Sequence, residues 1–222
     1  MYQQLMQLPL FQGVSTERIT ALVEKLPFHF LKYRNGDSIV TVGDACTHIK
    51  FIVSGRVRVE MPFSHLRVSL LQTLSTPHVL AAEYLFGRAT NYPFTVVADG
   101  ACGILQLLKS DYIKMINSDK VFLFNILNYL SSGSQRSLSS SLSLKDGSVG
   151  ERLATIVNNL VAPGATDVTL RFKQKDLCAL LGTQRTTLIA TLDRFSEEGI
   201  LDYDSNELKL LDHEKLMAMS GN

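Results

Sequence analysis

The 222-residue chain reads as an α+β protein, and three features of it point that way. Between residues 32 and 108, apolar and polar side chains alternate in short runs cut by glycine and aspartate, the period of half-buried strands. From 119 to 144 the apolar residues fall at helical spacing with no proline. Further on, two short helical patterns flank Gly182.

The first helical pattern comes early: Ile19, Leu22, Val23 and Leu26 follow Ser15, a good N-cap, and Pro27 closes it. Strands are then expected at 38–42, 49–53, 56–61, 68–74, 95–98 and 104–108. The clearest is 56–61, where Val57, Val59 and Met61 share one face and charged residues the other. Turns are expected at Asn35-Gly36-Asp37, Gly43-Asp44, Ser54-Gly55 and Asp99-Gly100, so this part is a β-barrel, sandwich or jelly roll.

In the 119–144 helix, Phe122, Ile126, Tyr129 and Gly133 form one stripe, with Leu123, Leu127, Leu130 and Leu138 beside it. Its length would be about 39 Å. Residues 131–143 are mostly Ser, Gly, Gln and Leu; this is either a flexible linker or a small-residue face that lets another helix approach. On the second reading the helix is a dimerisation seam, with Phe122, Ile126, Leu127, Tyr129, Leu130 and Gly133 at the contact and Ser139, Ser140 and Ser141 in a soft lower end. A boundary follows at 145–148. Beyond it a helix carries Arg152, Ile156 and Leu160 and is broken by Pro163-Gly164, a short strand covers 168–172, and a hairpin covers 200–211.

Composition bounds function only loosely. With 22 Lys+Arg against 21 Asp+Glu the net charge is +1, which by itself points to neither nucleic acid nor membrane; 45% hydrophobic and 19% charged content excludes disorder as the main state. No apolar run reaches the ~18 residues of a membrane span, and the first residues lack the basic region of a secretory signal, so a cytoplasmic protein is expected. Cys46, Cys102 and Cys178 lie too far apart for a zinc ribbon or iron–sulfur cluster and read as free, mostly buried thiols.

The segment 174–201 carries the chemistry. Leu177, Leu180 and Leu181 make an apolar face, Gly182 supplies a left-handed turn, and Leu188, Leu192 and Phe195 make the matching face: a helix-turn-helix. Thr183 is expected to cap the second helix, leaving Gln184, Arg185 and Thr186 in its exposed first turn. Arg185 can pair bidentately with guanine and Gln184 with adenine; Thr187 can reach a phosphate or a thymine methyl. Arg171, Lys173, Gln174, Lys175 and Arg194 surround the two helices where phosphates would lie.

With these residues in place the chain resembles the Crp/Fnr family of bacterial transcription regulators over nearly its whole length. Leu10-Phe11-Gln12-Gly13-Val14-Ser15 resembles the family's opening, Asn35-Gly36-Asp37 and Val42-Gly43-Asp44 its β-roll turns, and Val53-Ser54-Gly55-Arg56-Val57 its hairpin. Gln184-Arg185-Thr186-Thr187 stands where the family has a Ser-Arg-Glu-Thr-like start to its recognition helix. The resemblance implies an N-terminal double-stranded β-helix, a jelly-roll or cupin-like β-roll of cyclic-nucleotide-binding type, at 1–118; a dimerisation helix and hinge at 119–145; and a winged helix-turn-helix at 146–222. It also implies a homodimer, double-stranded DNA with an inverted-repeat operator, RNA polymerase as a partner, and no membrane.

The departures bear on mechanism. By register Ala81-Ala82 replaces the family's Gly-Glu pair and Tyr92-Pro93 its phosphate-binding Arg-Ser/Thr pair, leaving Arg88 as the nearby cation; cyclic AMP binding is not expected. Ala82, Glu83, Tyr84, Leu85, Arg88, Tyr92 and Phe94 could line a more apolar effector pocket or a filled core; the effector is unknown and no cofactor is expected. Lys173 stands where a Ser or Thr cap is usual, Ala190 where relatives place a basic residue, and Thr186 in place of an acidic base reader. Two other classes remain open: a ligand-sensing adaptor acting through proteins, for which the acidic tail 202–214 would suit a protein contact, and a cupin-like enzyme. The enzyme reading is weak because the histidines at 29, 48, 65, 78 and 213 never form a closely spaced pair. Residues 1–145 carry 14 Lys+Arg and 9 Asp+Glu, net +5, whereas 146–222 carry 8 and 12, net −4, so the expected DNA-binding part is the acidic one.

Overall fold

Two glycine turns expected to end strands instead kink strands that continue. In the computed structural model, which describes residues 2–63, 65–143 and 147–219 (Tyr2 and 139–143 by backbone alone), β3 runs His48–Pro62 straight through Ser54-Gly55. Gly55 sits at φ +77°, and a Cβ there would meet the Cys102 Cα at 2.8 Å, so only glycine allows the neighbouring strand this close. β6, Thr95–Leu108, likewise passes through Gly100 at φ +87°.

The chain divides into two units, Met1–Arg58 with Leu74–Ser134 and Val59–Thr73 with Gln135–Asn222. The first begins with α1 (Tyr2–Met6), a 3-10 turn (Pro9–Phe11) and α2 (Thr16–Lys25), whose N-cap Ser15 accepts from the Arg18 amide as expected. Its strands are β1 (His29–Tyr33), β2 (Ser38–Val40), β3, the start of which precedes Val59, the end of β4 (Val68–Ser75), β5 (His78–Leu80) and β6. β1 and β5, absent from the expected set, pair antiparallel with β6 and β3; β2 also lies on β6, and the β-roll results. After β6 come α3 (Lys109–Ser118) and the first part of α4 (Lys120–Ser143).

Aromatic packing ties the helices to this roll. The Phe11 ring lies 5.5 Å from Phe51 of β3 and 5.8 Å from Phe122 of α4, both edge-on, and Asn125 donates to the Leu10 and Gln12 carbonyls. That contact splits the stripe expected at a dimer seam: Phe122 and Ile126 are buried, Tyr129, Leu130 and Gly133 are half-buried, and Leu127 is exposed. Phe124 and Leu138, outside the expected contact, are 59% and 64% exposed. The side chains of Ser139, Ser140 and Ser141, and residues 144–146 at the expected boundary, lie outside the described residues.

The second unit contains α5 (Val149–Leu160), β7 (Thr166–Phe172), α6 (Gln174–Leu181), α7 (Arg185–Glu197), the expected hairpin as β8 (Leu201–Tyr203) and β9 (Glu207–Leu210), and α8 (His213–Met219). α5 starts on a capping box, with the Ser148 side chain on the Glu151 amide and the Glu151 carboxylate on the Ser148 amide. The outer part of the β3–β4 hairpin belongs to this unit. β4 pairs antiparallel with β7, Val68 opposite Phe172 and Leu70 opposite Leu170, and Val68 and Leu70 are buried in one core with Leu153, Leu177, Leu188 and Phe195. Buried Gln72 donates to the Leu160 carbonyl (3.0 Å) and accepts from the Ala162 amide (2.8 Å), closing the end of α5.

Candidate nucleic-acid interface

α6 and α7 are held by the faces read from the sequence: Leu177, Leu181, Leu188, Leu192 and Phe195 are all at most 1% exposed, and Leu180 is half-buried at the edge of the same core. Gly182 takes the left-handed conformation, φ +57°, and ends α6. The expected cap is displaced by one residue. The Thr183 amide turns back to the Cys178 carbonyl (3.0 Å), so Thr183 still belongs to the turn, and Gln184 is the N-cap of α7 without a side-chain capping bond. Lys173 caps α6 in the same bare way. α7 therefore opens with unengaged backbone N–H groups, the positive end of its dipole.

Gln184, Arg185, Thr186, Thr187 and Ala190 are exposed around that end. Lys173 and Lys175 are exposed at the start of α6, with Gln174 half-buried between them. Among the described residues Lys173, Lys175 and Arg185 make no ion pair, whereas Arg171 pairs with Glu207 (3.2 Å) and Arg194 lies 3.9 Å from Glu198. The Arg194 guanidinium also sits 5.1 Å over the Phe195 ring, which fixes its direction.

A cleft of about 480 Å³ opens between the start of α5 and α7, lined by Ser148, Gly150, Arg152, Thr187, Thr191 and Arg194 among others. Thr187, Thr191 and Arg194 fall at i, i+4 and i+7 on one face of α7. Reading the motif helices alone missed Thr191 and the α5 terminus; the i+4 spacing from Thr187 was the available signal. Arg152 is a brace, its Nε donating to the Leu181 carbonyl (2.9 Å) and its Nη1 to that of Gly147.

In the first unit the expected effector residues differ in burial. Ala82, Leu85, Tyr92 and Phe94 are buried, Tyr84 is half-buried, and Glu83 and Arg88 are exposed. The Phe94 ring stands 6.3 Å from Tyr84 and 6.2 Å from Tyr92. Ala81 keeps a left-handed backbone, φ +51°, without a glycine. Burial pushes the Cys46 and Cys102 thiols and the Tyr92 hydroxyl up from their ordinary values, so these groups stay neutral.

Residues 30–119 match the family model of the cyclic nucleotide-binding domain, and residues 151–219 that of the Crp-like helix-turn-helix domain. The chain belongs to the Crp/Fnr family. This Crp/Fnr chain is a DNA-binding transcription regulator with a cyclic-nucleotide-binding-like domain, in a family of regulators rather than enzymes. Its fold is similar to that of the catabolite activator protein of Thermus thermophilus, at 20% identity over 96% of this chain and 98% of that one, TM-score 0.51. A CooA mutant from Carboxydothermus hydrogenoformans is similar at 19% identity over 98% and 94%, TM-score 0.51. A comparison with curated proteins finds no match. No helix among the described residues of this Crp/Fnr regulator is long and apolar enough to cross a membrane.

Proposed function

We propose that the chain works in the cytoplasm as a homodimer that reads an inverted-repeat operator, with 1–118 as sensor, 119–145 as dimerisation helix and hinge, and 146–222 as reading domain. The observation that carries this is the first turn of α7, where exposed Gln184, Arg185, Thr186 and Thr187 surround an uncapped helix N-terminus. Arg185 and Gln184 read base edges, Thr186 and Thr187 add base or phosphate contacts, and Lys173, Gln174 and Lys175 hold the backbone. Arg194 and Arg171 contribute phosphate attraction despite their acidic neighbours. The cleft beside the α5 terminus takes a phosphate.

The seam is the outward stripe of α4. Phe124, Leu127, Ser131, Ser134 and Leu138 recur at three and four residues, the spacing of a two-helix seam, and all are exposed. Tyr129, Leu130 and Gly133 flank it, whereas Phe122 and Ile126 serve the first unit's own core. The sensor takes an effector other than cyclic AMP: Tyr92-Pro93 stands in place of the Arg-Ser/Thr pair, Tyr92 and Phe94 are buried and Arg88 is exposed, so a buried cyclic phosphate would have no cation there. RNA polymerase is the protein partner that the family resemblance implies.

The test is selection from random double-stranded DNA followed by titration. Enriched sequences should be inverted repeats with half-sites about one helical turn, ~34 Å, apart. Arg185→Ala should weaken the selected site by about 1–3 kcal/mol and relax preference at one position. No enrichment, or unchanged affinity and selectivity in the variant, overturns the reading and favours an adaptor acting through proteins.

A further inference from the structure

Lys50 of β3 is a lysine 9% exposed, a degree of burial rare for this residue unless it is paired. Its Nζ donates to Gln106 Oε1 of β6 at 2.7 Å, and among the described residues it makes no ion pair. An ammonium carries three donors, and a neutral amide does not balance its charge. Burial pushes the Lys50 ammonium down from its ordinary value, which reflects the same lack of a partner charge. The thiol of Cys46 is within electrostatic reach, but burial pushes it up, so it supplies no negative charge.

The surroundings supply further polar groups. His48 lies two residues away on the same face of β3, and its Nδ1 is engaged with the Thr47 hydroxyl at 2.8 Å. His29 of β1 stands opposite Gln106 in the β1–β6 register and is within electrostatic reach of His48. Exposure rises from Lys50 through half-buried His48 and Gln106 to exposed His29, so the ammonium is approached from the His29 side. The Gln106 amide, having given its oxygen to Lys50, keeps its NH2 as a donor.

We propose that Lys50, with Gln106, His48 and His29 around it, is the binding point for a small molecule bearing a carboxylate or phosphate group. The anion supplies the charge that the strands do not, and the burial of Nζ limits access to a small headgroup. None of these four residues is among those at which the resemblance would look for a ligand, Ala81-Ala82 and Tyr92-Pro93. Only its effect on DNA binding rests on the sensor role proposed above.

The test is calorimetric titration of the full chain with inorganic phosphate and, separately, acetate, on wild type and Lys50→Met. Wild type should bind at least one of them saturably, and Lys50→Met should lose roughly tenfold or more in affinity. The variant should fold at least as stably as wild type in anion-poor buffer, since it removes an unpaired buried charge. Binding of phosphate alone, or of acetate alone, identifies the headgroup. No saturable binding of either, or equal binding by the variant, overturns the proposal. DNA titration of the same samples is read separately: anion binding without DNA binding sinks the regulator reading and leaves this one, and the reverse result does the opposite.

Discussion

Leu70 tests whether a strand from the first part of the sequence is structurally part of the DNA-binding unit. It is fully buried, lies opposite Leu170 of β7, and shares a core with Leu153, Leu188 and Phe195, more than 80 residues away in sequence. Leu70→Ala removes the transfer energy of the side chain and leaves a cavity that a two-layer core of helices on a sheet can fill only in part, a loss of about 2–5 kcal/mol. The loss should fall on the second unit. Amide exchange followed by mass spectrometry should show faster exchange in α5 and α7, and DNA affinity should drop at temperatures near the unfolding of that unit, while β6 in the first unit keeps its protection. If exchange rises in β6 and leaves α5 and α7 unchanged, the assignment of Val59–Thr73 to the second unit is wrong. A Gln72→Leu variant gives an independent check, because it leaves the Leu160 carbonyl and Ala162 amide without their side-chain partner.

Two further expectations concern the first unit. His78 has its pKa lowered from 6.5 to about 4 by burial, so as pH falls from about 6.5 to about 4 the unfolded chain takes up a proton that the folded chain refuses. Stability is therefore full above pH 6.5, falls by up to roughly 3 kcal/mol through this window, and levels off below it; denaturant titrations of wild type should show that fall, and His78→Gln should flatten it. Ala81 holds φ +51° with a Cβ, so Ala81→Gly should raise stability by about 0.5–1 kcal/mol in thermal or denaturant unfolding; a loss would mean that the methyl packs to more effect than the backbone strain costs.

The motif helices were legible because their signals are local. Gly182 marks the turn, and six apolar positions at helical spacing mark the two faces, of which five proved buried and Leu180 half-buried. Ser15 as a cap and the 200–211 hairpin were legible for the same reason. The pairing of Val68 and Leu70 with β7 was not, since two alternating segments a hundred residues apart carry no mark of who pairs with whom. Gly55 and Gly100 were read as reversals because a glycine with positive φ ends one strand or kinks another with the same residue; what decided between them at Gly55 was the closeness of Cys102, a tertiary fact. On α4 both Phe122 and Phe124 are apolar, so periodicity offered two stripes, and only Phe11 shows which one turns inward.

The acidic charge of residues 146–222 looked unfavourable for a DNA-binding unit, and the structure shows why the sum misleads. Several carboxylates are engaged in holding the backbone: Glu151 closes the α5 capping box, Asp204 accepts from the Asn206 and Glu207 amides in the β8–β9 turn, and Asp212 accepts from the Lys215 amide at the start of α8. That last bond is the main reason the Asp212 carboxyl lies below its ordinary value. Asp193 takes the Tyr203 hydroxyl at 2.5 Å, and Glu207 and Glu198 neighbour Arg171 and Arg194. Lys173, Lys175 and Arg185, like Arg152 and Lys209, have no acidic partner among the described residues, and these three sit at the N-terminal ends of α6 and α7, where the helix dipoles add to them. Attraction to phosphate depends on the local field within about a Debye length, ~8 Å at physiological salt, so at these helix ends three cations and the helix dipoles stand against the single carboxylate of Asp176 in the first turn of α6. With so few unpaired cations at the two helix ends, sequence-independent attraction is small, and on the reading proposed above discrimination comes from the base edges that Arg185 and Gln184 can reach.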